Sequence, residues 1–329
     1  MRINSYTLAE DGSNYYRTKL PAMTLKAQGL DIEYLRTGEE TRDADVLFFN
    51  RPAFPDAVRT IAKLVSDGYA VVVDVDDLYS HIRVGHTMYG DRAQRADDCI
   101  RWACKLATVV TATTPALIDE YGYGHGVVVP NYVPEAYFCI KTDPERIRRI
   151  GWSGTIDSHP NDLQQTRGVI ARICREYPVD FGLVGPREQQ RAVARVLRLP
   201  SVAATGWLSL TDYPIAVARL HLGIVPLEDC LFNDAKSWLK GLEMAAVGVP
   251  FVASATREYR RLHDQGIGLL ATHRNDWYRH LQDMLEDPGY RGEVVGRSRQ
   301  AARGLTIEAN ADRWAEVFRM AYRRRPVTC

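Results

Sequence analysis

Short apolar runs alternate along the chain with stretches whose apolar residues recur every three to four positions. Residues 45–49 (DVLFF), 69–75 (YAVVVDV), 107–112 (ATVVTA) and 126–130 (GVVVP) are mostly β-branched and end at polar, glycine or proline breaks. They predict buried strands. Between them, residues 56–68 (DAVRTIAKLVSDG) carry helical spacing and a closing glycine. Residues 114–122 (TPALIDEYG) open with a capping threonine and a first-turn proline, a helix start. Strands alternating with helices predict a parallel α/β sheet covered on both faces.

Residues 130–149 (PNYVPEAYFCIKTDPERIRR) break the rhythm with three prolines and read as an interdomain linker. The alternation then restarts. Residues 149–154 (RIGWSG), 179–185 (VDFGLVG), 220–227 (LHLGIVPL), 249–254 (VPFVAS) and 266–272 (GIGLLAT) predict a second set of strands. Residues 276–288 and 309–325 carry the apolar stripes of closing helices. The pattern predicts two Rossmann-like, doubly wound parallel-sheet domains, residues 1–140 and 141–305, facing across a cleft. Ligands of such sheets lie at the carboxyl ends of the strands, so the cleft is the expected site.

Composition narrows this picture rather than redirecting it. A formal net charge of +1 supplies no global field for nucleic acid or anionic membrane. The basic runs at 146–149 (RIRR) and 323–325 (RRR) fit a solvated face and a ragged terminus, or a patch that steers an acceptor. The six cysteines form no CxxC pair and no zinc spacing, as in a reducing cytoplasm. The N-terminal residues lack a signal-peptide core, and no run approaches ~18 apolar residues. A cytoplasmic protein without stable membrane insertion is expected.

The chemistry concentrates in two places. In residues 232–254 (FNDAKSWLKGLEMAAVGVPFVAS), a helix drawn from residue 236 to 247 gathers Lys236, Lys240 and Glu243 within about 60°. Two lysines at i, i+4 near a helix start repel each other and oppose the helix dipole, unless an anion is bound. Backbone amides at 234–237 would face the same anion. A solvated stripe with a Lys240–Glu243 pair also fits. The second place is residues 74–77 (DVDD), which end a very apolar strand. Either a divalent ion or an acceptor hydroxyl explains acids there. Asp76, Asp77, His81 and His86 are the candidate bases. Gly12 and Ser13 in the first loop, and Gly154 after the first strand of the second domain, permit close backbone approach to a sugar or phosphate. Arg17 and Arg51 are further candidates for the cleft. Trp152 and Trp238 read as core, and His159 and Asp162 as a cap for the next helix.

Residues 232–254 resemble the nucleotide-sugar segment of GT-B glycosyltransferases of the group-1 (family 4-like) class. So do residues 12–29, 71–79, 107–117, 127–134 and 150–163, in the order of that class. The resemblance implies that Lys236, Ser237 and Lys240 hold the donor diphosphate, that Glu243 holds the ribose and that Asn233 joins the donor site. It implies that residues 306–329 cross back to the first domain. The chain departs from the class at Ala235, where a second glutamate usually contacts the sugar, and in residues 154–163, which hold no Arg or Lys.

The expected activity is transfer of a sugar from a nucleoside-diphosphate sugar, UDP- or GDP-linked, to a hydroxyl of a glycan, lipid-linked glycan, protein, small molecule or DNA. No metal cofactor is expected, because lysines supply the charge. The rivals are a nucleotide-sugar epimerase, a non-catalytic nucleotide-sugar binder and a DNA-modifying glycosyltransferase.

Overall fold

A computed structural model describes residues 1–7, 11–36, 43–142 and 148–325. Arg146 of the basic run 146–149, most of the charged end of the linker and Cys329 lie outside the described residues.

The first sheet is built from β1 (Arg2–Thr7), β2 (Asp31–Arg36), β3 (Val46–Asn50), β4 (Ala70–Val75), β5 (Val109–Ala112) and β6 (Gly126–Val128), in the order β2-β1-β3-β4-β5-β6. The second uses β7 (Arg149–Ser153), β8 (Asp180–Val184), β9 (Ala203–Ala204), β10 (Leu222–Val225), β11 (Phe251–Ser254) and β12 (Leu269–Ala271), in the order β12-β11-β10-β7-β8-β9. Every pairing is parallel. The architecture is the expected pair of Rossmann-like sheets. In each, the strand that comes first in the chain, β1 or β7, is flanked on both sides, which opens a crevice at the carboxyl ends.

The strands form for the reason the pattern predicted. β4 is AVVVDV with every residue buried, a run that only a sheet covered on both faces can hide. Three strands gave no apolar signal. β1 reads RINSYT, yet Asn4, Ser5 and Thr7 are buried. β2 and the two-residue β9 are edges.

One apolar cluster runs from Ile3, Leu25, Phe48 and Val72 of the first domain through Trp314 and Phe318 to Leu242, Met244 and Phe251 of the second. The helix Ile307–Arg323 carries the middle of it. It leaves the second domain and lays Trp314 and Phe318 edge-on against Phe48, at 5.4 and 5.7 Å between ring centroids. The chain thus crosses between domains twice. The two crossings touch in a parallel bridge, where Val133 N donates to Leu305 O and Ile307 N to Val133 O. No described helix is long and apolar enough to cross a membrane.

Residues 236–238 depart from expectation. The helix that carries Lys240 and Glu243 starts at Leu239, not Lys236. A separate short helix, Leu231–Asp234, precedes it, and Ala235 to Trp238 form a loop between the two. The reason is local. Asn131 takes Ser237 Oγ as acceptor and offers its own carbonyl to Trp238 Nε1, while Thr114 Oγ1 takes the carbonyl of Ala235. The first domain thus pins these residues as a loop. At the other end, Gly248 with φ +81° ends the helix and turns the chain into β11.

Candidate active site

A cavity of ≈ 160 Å³ opens between the domains. The second domain contributes His159 from the loop after β7, Val225 and Leu227 from the end of β10, and Lys236, Ser237 and Lys240. The first domain contributes Asp76 and Asp77, just beyond β4, and Asn131. Of the residues picked out in the sequence, Asp76, Asp77, Lys236, Ser237 and Lys240 meet here although the aspartates and lysines lie about half the chain apart.

Lys236 Nζ donates to Asp77 Oδ1 at 2.8 Å and lies 4.3 Å from the centre of the Phe232 ring. Burial works to raise the Asp77 carboxyl, but the Lys236 ammonium outweighs it and holds the pKa below the usual carboxylate range. Lys240 Nζ donates to His159 Nε2 at 3.0 Å, and His159 Nδ1 faces Asp162 Oδ2 at 2.7 Å. Burial, reinforced by the Lys240 charge, pushes His159 down to about 3, so the ring is neutral. It then donates from Nδ1 to the Asp162 carboxylate and accepts from Lys240 at Nε2. The histidine sets the lysine's direction as well as filling space beside Trp152. Burial and the neighbouring Lys236 lower Lys240 to about 8.

Asp76 behaves differently. Its Oδ2 accepts from Ser13 Oγ, and the Arg51 guanidinium lies 3.7 Å from Oδ1. Oδ1 is buried with no hydrogen-bond partner among the described residues. Burial raises its pKa, Arg51 works against that, and Asp77 adds to the rise. The site therefore holds one carboxylate committed to a lysine and another with an oxygen that makes no hydrogen bond and faces only the Arg51 guanidinium among the described residues. Arg51 sits at φ +50°, an uncommon conformation for a non-glycine residue at the end of β3.

Gly154 serves the lysine. A Cβ there would come 2.8 Å from the Trp152 ring and 3.0 Å from Lys240 Nζ, at a φ of +150°. Asn233 is buried outside the cavity lining. It donates to Asp162 Oδ1 at 2.8 Å and to Glu228 O at 3.0 Å, and so fixes the acid behind His159.

Four expectations fall elsewhere. Asp74 does not join its neighbours; it is fully buried and bonded by Arg17, Asn50 and Thr111 in the core of the first domain. Arg17 is consumed by the same pair. His81 is exposed on the turn Tyr79–His81, with Nδ1 2.9 Å from Ser80 Oγ, and does not line the cavity. Gly12 opens the first helix, exposed, and does not line the cavity either. Its neighbour Ser13 reaches the site instead, through Asp76.

Glu243 is also outside the cavity lining. Its two oxygens accept from Tyr16 at 2.6 Å and Tyr213 at 2.8 Å, and Tyr137 Oη lies 2.8 Å from Tyr16 Oη. One carboxylate thus ties the first domain to the second. Burial drives its pKa up to about 7, against the two hydrogen bonds, which favour the ionised form. The three tyrosines carried no readable signal, since the nearest lies 30 residues from Glu243 and the others over a hundred. His159 had one in its i, i+3 spacing to Asp162, but its partner Lys240 is 81 residues on.

No protein-family model matches this sequence, and no curated protein does. Solved structures do. Sucrose-phosphate synthase from Thermosynechococcus elongatus superposes with a TM-score of 0.71 over 98% of this chain and 99% of its own, at 14% identity. The fold is GT-B. Anabaena HepE in complex with UDP gives a TM-score of 0.64 at 13% identity over 96% of this chain and 99% of its own. A Rickettsia africae glycosyltransferase gives 0.62 at 11% identity over 97% and 98%. In the GT-B arrangement of this chain, the cavity lies where the carboxyl ends of the two sheets face each other.

Proposed function

We propose that this protein transfers a sugar from a nucleoside-diphosphate sugar to an acceptor hydroxyl. The observation that carries the reading is the pairing of two cations, Lys236 and Lys240, with two acids, Asp76 and Asp77, across one interdomain cavity. The HepE structures with UDP and with UDP-glucose share the fold and make a uridine diphosphate donor the first choice.

In this reading the donor diphosphate displaces Asp77 from Lys236 and takes both ammonium groups, with Ser237 beside it. The acceptor oxygen attacks the anomeric carbon and the bond to the diphosphate oxygen breaks. The negative charge that builds on the leaving group falls on the lysines. The proton of the acceptor hydroxyl passes to Asp76 Oδ1, the buried oxygen that makes no hydrogen bond and lies beside the Arg51 guanidinium, and whose raised pKa suits a proton acceptor. Asn233 and Asp162 act through His159 to aim Lys240, as positioning residues. Glu243 receives the ribose hydroxyls by exchanging a tyrosine hydroxyl for each. No divalent metal enters the scheme, and the compartment proposed is the cytoplasm.

The test is a thermal-shift panel of UDP, GDP, CDP, ADP and dTDP with and without EDTA, followed by a transfer assay with the responding sugar nucleotide. A ligand at about 100 times its Kd stabilises by roughly 2.7 kcal/mol, which is readily seen. One responder, insensitive to EDTA and lost in Lys236→Ala, supports the reading. A panel with no responder refutes it.

A further inference from the structure

We propose a second ligand site on the carboxyl edge of β10, β11 and β12, which takes the phosphate group of a sugar-sized molecule. A cavity of ≈ 630 Å³ lies there, lined among others by Gln164, Thr256, Arg257, Arg260, Thr272 and Arg274. It shares only Leu227 with the lining of the interdomain cavity. None of Lys236, Lys240, Asp76 or Asp77 reaches it.

Two features give it a charge preference, the arginines and an open helix start. The guanidinium groups of Arg257, Arg260 and Arg274 have no hydrogen bond or ion pair among the described residues, whereas Arg261, on the same helix, is paired with Glu258. They outnumber the two aspartates of the lining, Asp229 and Asp234. The helix Arg257–Asp264 also begins at the cavity with its first amides uncapped. Thr256 stands at the N-cap, where a threonine oxygen ordinarily accepts from the first turn, yet it makes no cap bond. Its Oγ1 has no hydrogen-bond partner although the residue is only 7% exposed. The single side-chain contact to these amides is a long one, Arg257 N to Asp234 Oδ1 at 3.4 Å.

The neighbouring helix shows what a closed start looks like. Arg274–Glu286 begins at the same cavity, but there Asp276 Oδ2 accepts from the amides of Thr272 and His273 that lead into the helix. The free helix start, the idle threonine hydroxyl and the unpaired arginines converge on one place, which suits a phosphate oxygen set. The volume exceeds what a bare phosphate fills. The amides of Gln164 and Gln165 and the Thr272 hydroxyl stand around the remaining space, as partners for sugar hydroxyls.

The test follows melting temperature at millimolar inorganic phosphate, ribose 5-phosphate and ribose. Wild type, the Arg257→Gln/Arg260→Gln variant, Thr256→Val and Lys236→Ala are compared. Ribose 5-phosphate raises the wild-type midpoint by about 2–4 °C. Inorganic phosphate raises it less, and ribose leaves it unchanged. The shift persists in Lys236→Ala and is lost or at least halved in the arginine and threonine variants. Exposed arginines are not needed for folding, and Thr256→Val keeps the fold's volume, so the two variants check each other. No shift with either phosphate overturns the proposal. So does a shift that vanishes in Lys236→Ala but survives in the arginine variant, which assigns the phosphate to the interdomain cavity. An equal response to ribose overturns the phosphate specificity.

Discussion

In the proposed scheme Asp77 holds the ammonium that the diphosphate would take, and removing its charge is expected to tighten nucleoside-diphosphate binding. The Lys236–Asp77 contact is 2.8 Å long, with side-chain exposures of 16% and 33%. Coulomb attraction at that distance is about 1.5 kcal/mol in bulk water and about 6 kcal/mol at an effective dielectric constant of 20. Hydration of the two ions offsets most of it, and part-exposed pairs retain about 1 kcal/mol. A diphosphate must break this pair to reach Lys236. Asp77→Asn spares it that cost and also removes a like charge beside the bound phosphates. Calorimetric titration with UDP, or with whichever diphosphate responds, therefore shows Kd falling about fivefold in Asp77→Asn. The same substitution in a Lys236→Ala background gives much less, because the partner is gone, and the double-mutant cycle isolates the pair. Weaker binding in Asp77→Asn, or an undiminished gain without Lys236, refutes the reasoning.

Other consequences follow from the same groups. Asp76→Asn lowers transfer about 10²–10⁴-fold with diphosphate affinity little changed, read as kcat beside a calorimetric Kd. Lys240, lowered to about 8, loses its charge as pH rises past that value, so diphosphate affinity weakens above about pH 8 in wild type but not in Lys240→Arg. Glu243, raised from 4.5 to about 7, binds more proton folded than unfolded between those values, so its contribution to stability falls as pH climbs through that window, by about 3 kcal/mol in all. Glu243→Gln flattens that limb of the melting-temperature profile. Gly154→Ala drives a methyl group against Trp152 and Lys240 and lowers both melting temperature and diphosphate affinity; an unchanged affinity would show that Lys240 needs no such clearance.

The sheets were legible where burial on both faces forces a continuous apolar run, as in β4 and β5. β1 was not, because its buried positions include Asn4, Ser5 and Thr7. Of the site, the two lysines and Asp76 and Asp77 were legible as charges placed where charges are costly. Their meeting was not legible from either segment alone, since Asp77 and Lys236 lie 159 residues apart. The helix start was misread for a related reason. Nothing near Lys236 breaks a helix; the contacts that hold the loop come from Asn131 and Thr114 of the other domain. Asp74, Asp76 and Asp77 look alike in the sequence, and only the partner each finds separates a core ion pair, an open acceptor and a lysine's counterion.

The double crossing of the chain has a mechanical consequence. Because β1 and the helix Ile307–Arg323 both pack in the first domain, the second domain is an insert within the first, entered and left at Val133 and Thr306, which meet in an isolated bridge. A stretching force applied to the two ends of the chain loads the first domain alone. In an optical trap, the first domain gives way while the second stays off the load path, held shut at its own paired doorway until that bridge is pulled apart.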